Sequence, residues 1–317
     1  MDVASYFLLF VCFLQSVIAI LDPNDFLALQ SIRKSLHDVP GSNFFASWDF
    51  TADPCNFPGV YCVDDKVVAL NLGDPRAGSP GLTGKLDHSI SKLSALADLT
   101  VVPGRIYGPL PQSISQLKNL RFLGVSRNFI SGEIPPGLSQ LRNIRTIDLS
   151  YNQLTGTIPP SIGTLPLLTN LILCHNRLSG SFTGRIPTEI FSFPLTNLQL
   201  ERNQFTGPVQ PVNEVTIQTV DLSYNRLSGQ VSPMLASVQN LYLNNNWFTG
   251  QVPGSFVERL LAAGIQILYL QHNFLTGIAI SPTAEIPVSS TLCLQYNCMV
   301  PPKTLNTRKS VVKPERS

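Results

Sequence analysis

The sequence predicts an α/β repeat fold, a right-handed solenoid of about ten coils with a concave parallel β-sheet. A short glycine motif recurs along the 317-residue chain, a leucine pattern precedes most of these glycines, and the composition is 44% hydrophobic but only 13% charged. A fixed repeat period is typical of folds in which each coil buries its apolar face against its neighbours. So low a charge content disfavours a coiled coil, a disordered acidic protein and a nucleic-acid binder.

The glycine motif is Leu-(Thr/Ser)-Gly, followed by an apolar residue and often by Pro. Its first five glycines are 24 residues apart, a spacing within the range of leucine-rich repeats. Glycine permits a bend that a Cβ atom would oppose, and the following Pro fixes φ on the outer arc. The glycines are Gly84, Gly108, Gly132, Gly156, Gly180, Gly184, Gly207, Gly229, Gly250 and Gly277.

The pattern L-x-x-L-x-L-x-x-N, with other apolar residues allowed for Leu, precedes these turns. The L-x-L alternation predicts a strand with one buried face. We expect each Asn to turn inward, where its amide must find partners, and to bond the neighbouring coils as a ladder. The matching segments are Leu120–Asn128, Ile144–Asn152, Leu168–Asn176, Leu195–Asn203, Ile217–Asn225, Val238–Asn246 and Ile265–Asn273, with Val68–Leu72 opening the series, Leu96–Gly104 as a variant without the Asn, and Leu292–Asn297 closing it.

An N-terminal cap is expected to cover the first coil, because a solenoid cannot leave its terminal apolar layer bare. Asp25 is expected to cap a helix in which Phe26, Leu29, Ile32 and Leu36 fall at helical spacing. A small loop follows Trp48, and a Cys55–Cys62 disulfide is expected to close it.

The unit Ile147–Pro159 resembles the plant-specific leucine-rich repeat LxxLxLxxNxLTGxIP. The segment after Trp48 is similar to the plant N-terminal cap C-x-W-x-G-V-x-C, with Phe57 in place of the second Trp. Relatives with this architecture are polygalacturonase inhibitors and the extracellular domains of plant receptor kinases and receptor-like proteins. The resemblance therefore implies a secreted plant leucine-rich-repeat protein.

The N-terminus is expected to be a secretory signal. Residues 3–21 form an uncharged apolar run, and Val17 and Ala19 suit cleavage after Ala19; an uncleaved membrane anchor is the alternative. With cleavage, no membrane span is expected and the mature protein would be extracellular, in the cell wall. The expected parts are a signal peptide 1–19, a cap 20–66, repeats 67–300 and a basic, disordered tail 301–317.

Two departures from the repeat leave alternatives open. Gly180 and Gly184 carry two turn motifs four residues apart, which indicates either a bulge on the outer arc or the loss of intervening coils; in both cases the stack is expected to resume by Leu195. Cys293 and Cys298 are too far apart on an extended strand to pair, and only a sharp turn after Asn297 would bring them together.

Catalytic and cofactor motifs are not found, so we expect neither an enzyme nor a cofactor or metal site. Asp148 and Asp221 take equivalent strand positions, but surface acids of this kind are usually solvated rather than an acid–base pair. A structural cell-wall protein is a further alternative, although it would normally carry a Pro/Ser-rich extension.

The remaining candidate is a binding surface on the concave face. One column of residues precedes each Asn, a second lies between the strand leucines, and both carry the Tyr and Arg that are enriched in interface hot spots. Repeat drift without a ligand is the alternative origin of these columns. The candidate partner-binding residues are Arg127, Tyr151, His175, Arg202, Tyr224, Tyr242, Tyr269 and His272.

The sequence therefore predicts a non-catalytic extracellular protein that binds a protein or peptide ligand in plant signalling or defence. The alternative is a polygalacturonase inhibitor-like protein that blocks a microbial wall-degrading enzyme. No nucleic-acid partner is expected, and the sequence does not indicate an oligomeric state.

Overall fold

A computed structural model describes residues 21–73, 81–180, 184–281 and 283–299. The expected signal peptide and the basic tail lie outside these ranges. Two helices are described, α1 (Pro23–Ser35) and α2 (Gly254–Leu261). In chain order the strands are β1 (Leu36–Asp38), β2 (Val60–Val63), β3 (Lys66–Leu72), β4 (Leu82–Gly84), β5 (Asp98–Val101), β6 (Arg105–Pro109), β7 (Phe122–Gly124), β8 (Phe129–Glu133), β9 (Thr146–Asp148), β10 (Gln153–Thr155), β11 (Asn170–Ile172), β12 (Asn197–Gln199), β13 (Thr206–Gly207), β14 (Thr219–Asp221), β15 (Arg226–Gln230), β16 (Asn240–Tyr242), β17 (Trp247–Val252), β18 (Ile267–Tyr269), β19 (Phe274–Ile278) and β20 (Thr291–Cys293).

The N-terminal helix α1 begins one turn earlier than the sequence predicted. Asp22, not Asp25, is the N-cap, and its carboxylate accepts hydrogen bonds from the backbone N–H groups of Asn24 and Asp25. Asp25 is wrong as a cap because it is fully buried, and its carboxylate accepts from the Val67 N–H at 2.8 Å. Asp25 thus ties the helix to the first coil.

The cap closes over the first coil through aromatic packing and one disulfide. Trp48 is buried, donates its indole N–H to the Pro58 carbonyl, and stacks on Phe57 with ring centroids 5.3 Å apart. The Phe that replaces the second Trp of the cap pattern therefore fills a packing position. The predicted disulfide is confirmed, with the Cα atoms of Cys55 and Cys62 5.6 Å apart.

We expect Cys55→Ser to lower the free energy of unfolding by about 2–4 kcal/mol, since the disulfide restricts the unfolded chain. Urea denaturation under non-reducing conditions measures the change. Cys298→Ser is the matched control, because Cys298 is free and exposed. Equal stability of the two variants would show that the bridge does not stabilise the cap.

The concave face is one sheet of eleven strands, in the order β2-β3-β5-β7-β9-β11-β12-β14-β16-β18-β20. β2 pairs antiparallel with β3, and the ten strands from β3 onward are parallel. This agrees with the predicted number of coils. In the parallel strands from β3 to β18 the central leucine or its equivalent is buried and its neighbours face the other side, so the residues on either side of it contribute to the concave surface.

The predicted asparagine ladder is confirmed at successive coils. The Asn152 amide Nδ2 donates to the carbonyls of Val125 and Leu149, and its Oδ1 accepts from the Ile130 N–H at 2.9 Å. Each ladder Asn therefore bonds its own coil and the preceding one. Its members from Asn128 to Asn273 are buried: Asn128, Asn152, Asn176, Asn203, Asn225, Asn246 and Asn273.

The outer arc consists of short 3-10 helices and, between β17 and β18, of helix α2; two narrower sheets flank the turns. These sheets have the orders β1-β4-β6-β8-β10 and β13-β15-β17-β19. The 3-10 helices of the described residues are Phe44–Ser47, Pro54–Asn56, His88–Lys92, Gln112–Gln116, Pro136–Gln140, Pro160–Thr164, Thr188–Ser192 and Pro233–Leu235.

The irregular segment near Gly180 separates the two narrow sheets but leaves the concave sheet unbroken. Asn170 pairs with Asn197, 27 residues on, whereas Thr146 and Asn170 pair across 24. Gly184, with φ of 71°, takes the left-handed turn position in this coil. The stack resumes at the buried Leu195, as predicted, so the additional residues are accommodated outside the concave face.

The C-terminal coil ends without a second disulfide among the described residues. Cys293 is half-buried in β20, Cys298 is exposed, and both are free. Among these residues, no helix is long and apolar enough to cross a bilayer.

Candidate functional site

The residues that precede the ladder asparagines lie in turns just beyond the strands, at one edge of the concave sheet. Each adopts a left-handed conformation, with φ of 52° at Tyr151 and 53° at Arg202. Such a φ is uncommon for bulky residues. The conformation recurs at Arg127, Tyr151, His175, Arg202, Tyr224, Asn245, His272 and Tyr296.

Side chains of this column stack on one another, and we call the column the edge ladder. The Arg127 guanidinium lies 4.1 Å above the Tyr151 ring, which stacks on His175 at 3.9 Å. Arg202 covers Tyr224 at 4.1 Å, and His272 stacks on Tyr296 at 4.4 Å. Because successive coils make the same left-handed turn at this position, the equivalent side chains of neighbouring coils lie next to one another. The edge ladder is therefore a preorganised aromatic and cationic surface.

Two of the candidate residues lie in the sheet itself. Tyr242 in β16 and Tyr269 in β18 are directly paired, half-buried, and meet edge to face with centroids 5.3 Å apart. The other concave positions of these two strands, Asn240 and Ile267, are uncharged, whereas Asp221 on β14 pairs directly with Tyr242. The candidate residues thus occupy two parallel regions, a strand-borne tyrosine pair and the edge ladder.

The position between the second strand leucine and the edge ladder does not belong to the concave surface. Ser150, Ser223 and Asn244 are buried there. The chain turns at this point, and the Asp148 carboxylate holds the turn by accepting from the Ser150 N–H and hydroxyl.

Cys174 and Glu201 occupy the same buried column, and the sequence prediction did not include them. Cys174 is buried, and its thiol hydrogen-bonds the half-buried Glu201. Oε2 of Glu201 is inaccessible to solvent and has no hydrogen-bond partner. The sequence signal that could have identified Glu201 is its charge, because the other residues of this column are uncharged.

Burial is the main cause of the raised pKa values of Glu201, Asp221 and Cys174. It raises the pKa of Glu201, and the nearby Asp221 carboxylate adds to the rise. Burial also raises the pKa of Asp221, although the hydrogen bonds from Ser223 oppose this rise. The pKa of the Cys174 thiol is raised by burial as well. Cys174 is therefore an inert packing residue rather than a nucleophile.

We expect Glu201→Gln to raise the melting temperature at pH 7, because it removes a half-buried negative charge beside Asp221. A carboxyl whose pKa is raised by folding destabilises the folded state above that pKa, so wild-type stability recovers as the pH falls through it. The difference between variant and wild type should therefore shrink towards pH 4. Thermal unfolding across this range checks the trend. A variant that is less stable than wild type at pH 7 would contradict the conclusion that the Glu201 charge destabilises the folded state.

Asp148 and Asp221 do not form an acid–base pair. They lie on β9 and β14, with β11 and β12 between them, and strands are spaced about 4.8 Å apart. Among the described residues, no cluster of three or more His, Cys, Asp or Glu side chains is placed to hold a metal ion.

Comparison with known families agrees with this architecture. Residues 22–63 match the leucine-rich-repeat N-terminal domain, and residues 119–141, 143–165 and 237–258 match the Leucine Rich Repeat. The chain therefore carries a leucine-rich-repeat N-terminal domain followed by leucine-rich repeats. Neither of the two matched families is an enzyme family.

The chain is similar to plant receptor kinases and to their ectodomains. It is 34% identical over 109 residues to the inactive LRR receptor-like serine/threonine-protein kinase BIR2 of Arabidopsis thaliana, an alignment covering 32% of this chain and 17% of BIR2. The Arabidopsis GASSHO1/SCHENGEN3 ectodomain, solved in complex with CASPARIAN STRIP INTEGRITY FACTOR 2, is 27% identical with a TM-score of 0.73, over 87% of this chain and 33% of that one.

A second solved relative carries a peptide. The ectodomain of the Arabidopsis receptor kinase HAESA, in complex with an N-terminally extended IDA peptide hormone ligand, is 25% identical with a TM-score of 0.66, over 87% of this chain and 49% of that one. The chain thus spans only a fraction of the length of each of these relatives. The ligands named above are those of the relatives.

Proposed function

We propose that this chain is a non-catalytic extracellular protein that binds a protein or peptide ligand on its concave face in plant signalling or defence. The observation that carries the proposal is the tyrosine pair Tyr242–Tyr269 on neighbouring strands, flanked by the stacked edge ladder. Aromatic rings held by their neighbours offer contact area with little loss of conformational entropy on binding. Similarity to ectodomains solved with ligands supports the proposal.

The charge distribution also favours recognition of a ligand at this face. The two arginines of the edge ladder, Arg127 and Arg202, lie over tyrosine rings, and a guanidinium group in such a contact can still donate its N–H groups to acceptors. The tyrosine pair lies in the same sheet, on strands whose other concave positions, Asn240 and Ile267, are uncharged. A ligand spanning both regions would combine apolar anchors with charged contacts at the rim.

Capture from a plant cell-wall extract tests the proposal. The full chain is immobilised as wild type, as Tyr242→Ala/Tyr269→Ala, and as Tyr107→Ala, whose exposed ring lies on the narrow sheet of β6. We expect mass spectrometry to find one partner that wild type and Tyr107→Ala retain and the double variant loses.

The identity of that partner separates the functional classes. A receptor kinase or a secreted peptide would support the signalling proposal, whereas a microbial polygalacturonase would indicate an inhibitor. Equal recovery by all three proteins would overturn the concave face as the binding site.

A further inference from the structure

Two successive coils carry basic side chains at the same two positions, just before strands β7 and β9. We call Lys118, Arg121, Arg142 and Arg145 the four-cation cluster, and all four side chains are exposed. The Arg145 N–H donates to the Arg121 carbonyl at 2.8 Å, so these two positions are direct neighbours across the coils. Lys118 and Arg142 occupy the equivalent neighbouring positions three residues earlier.

The cluster has no anionic partner among the described residues. The ion pairs found there are Lys66–Asp22 and Asp87–His88, both in the N-terminal part of the chain. Asp98, on the preceding strand β5, and Asp148, at the end of β9, make no ion pair with the cluster. Like charges at neighbouring positions of adjacent strands repel each other. The arrangement therefore costs stability that an external anion would offset.

Two members of the cluster are fixed and two are free. Lys118 Nζ donates to the Ser115 carbonyl and to Gln140 Oε1, and the Arg142 guanidinium donates to the Thr164 carbonyl at 2.8 Å. In the described part of the chain, the Arg121 and Arg145 guanidinium groups make no hydrogen bond. Each presents planar N–H pairs whose spacing matches a carboxylate.

The size of the cluster indicates the kind of anion that it fits. The equivalent positions in the preceding coil are Ser94 and Ala97, and those in the following coil are Pro166 and Thr169. The positive surface therefore covers only two coils, about 5 Å apart. A long polyanion would extend past it onto neutral surface, whereas two neighbouring carboxylates of a peptide would be fully matched.

We propose that the four-cation cluster docks a short acidic segment of a protein or peptide partner, with Arg121 and Arg145 each binding one carboxylate. This rests on the proposed function and deepens it, because it assigns the acidic part of the partner to the start of strands β7 and β9. The candidate arginines Arg127 and Arg202 lie instead in the turns beyond the other ends of their strands and stack on tyrosine.

A labelled hexaglutamate peptide is the probe, titrated against the full chain at low and at physiological salt. The Arg121→Gln/Arg145→Gln variant is compared with Arg177→Gln/Arg226→Gln, which removes two exposed arginines elsewhere. We expect the cluster variant to raise the Kd at least fivefold and to weaken its salt dependence, with the control within twofold of wild type. Equal weakening by both variants, or no weakening by either, would overturn the proposal.

Octagalacturonate, titrated in parallel, distinguishes a peptide from an acidic polysaccharide. If the sugar binds more tightly than hexaglutamate and depends more strongly on Arg121 and Arg145, the acidic-peptide assignment is wrong. Tyr242→Ala/Tyr269→Ala should bind hexaglutamate as wild type does, since the pair lies several coils away. The cluster is therefore tested separately from the concave-face ligand of the proposed function, and either can fail alone.

Discussion

Replacing one buried asparagine of the ladder is expected to cause a large loss of stability, comparable to the loss of the Cys55–Cys62 disulfide. Asn225 Nδ2 donates to the carbonyls of Leu200 and Leu222, and its Oδ1 accepts from the Phe205 N–H at 3.1 Å. Asn225→Ala leaves the buried Phe205 N–H without its acceptor, which costs about 1–3 kcal/mol, and it removes one of two amide donors from each carbonyl, since Asn203 and Asn246 still bond them. We expect the free energy of unfolding in urea to fall by about 3 kcal/mol.

Asn119→Ala is the matched control, because the Asn119 amide also bonds the preceding coil, through the Ser94 carbonyl, but is exposed. Water can replace that bond, so the expected loss is below about 1 kcal/mol. Hydrogen exchange at the Phe205 amide locates the effect in the variant. If Asn225→Ala and Asn119→Ala lower the free energy of unfolding equally, the buried bonds of the ladder do not stabilise the solenoid.

The second large effect concerns binding. Tyr151→Ala with Arg202→Ala removes one member from each of two stacked segments of the edge ladder. If these side chains are hot spots, affinity for the captured partner falls by about 2 kcal/mol or more, which raises the Kd about 30-fold. The melting temperature should change little, since stacking at exposed sites contributes only about 0.5–1 kcal/mol for each contact.

Tyr107→Ala with Lys85→Ala is a chemically matched control. Lys85 lies 5.6 Å from the Tyr107 ring, a cation–aromatic contact on the narrow sheet rather than at the concave edge. We expect this pair to leave the Kd within twofold of wild type. If it abolishes binding while the edge-ladder pair does not, the site has been assigned to the wrong surface.

The repeat, the ten parallel strands and the asparagine ladder were predictable because each depends on a local pattern that every coil repeats. Burial of Leu123 or Ile147 follows from alternation alone, and the inward amide of Asn152 follows from the cost of burying it unpaired. The Cys55–Cys62 bridge was likewise predictable from its short loop.

Features that depend on contacts between coils were not predictable in the same way. Asp22 and Asp25 are both acceptable caps, and only the reach of Asp25 to Val67 in the first coil decides between them. The left-handed turn at Tyr151 and its stacking on His175 require the register of two coils. The proximity of Glu201 to Cys174 and Asp221 depends on that register as well.

The central claim is that the concave face, through the tyrosine pair, binds the ligand. The most direct measurement is calorimetric titration of the captured partner into wild type, Tyr242→Ala/Tyr269→Ala and Tyr107→Ala. Both variants lose aromatic rings that are half-buried or exposed, so an effect on Kd from the loss of apolar surface in general would appear in both. The account predicts at least a tenfold rise in Kd for the double variant and no more than a twofold change for Tyr107→Ala. Equal affinities of all three proteins, or a loss confined to Tyr107→Ala, would contradict it.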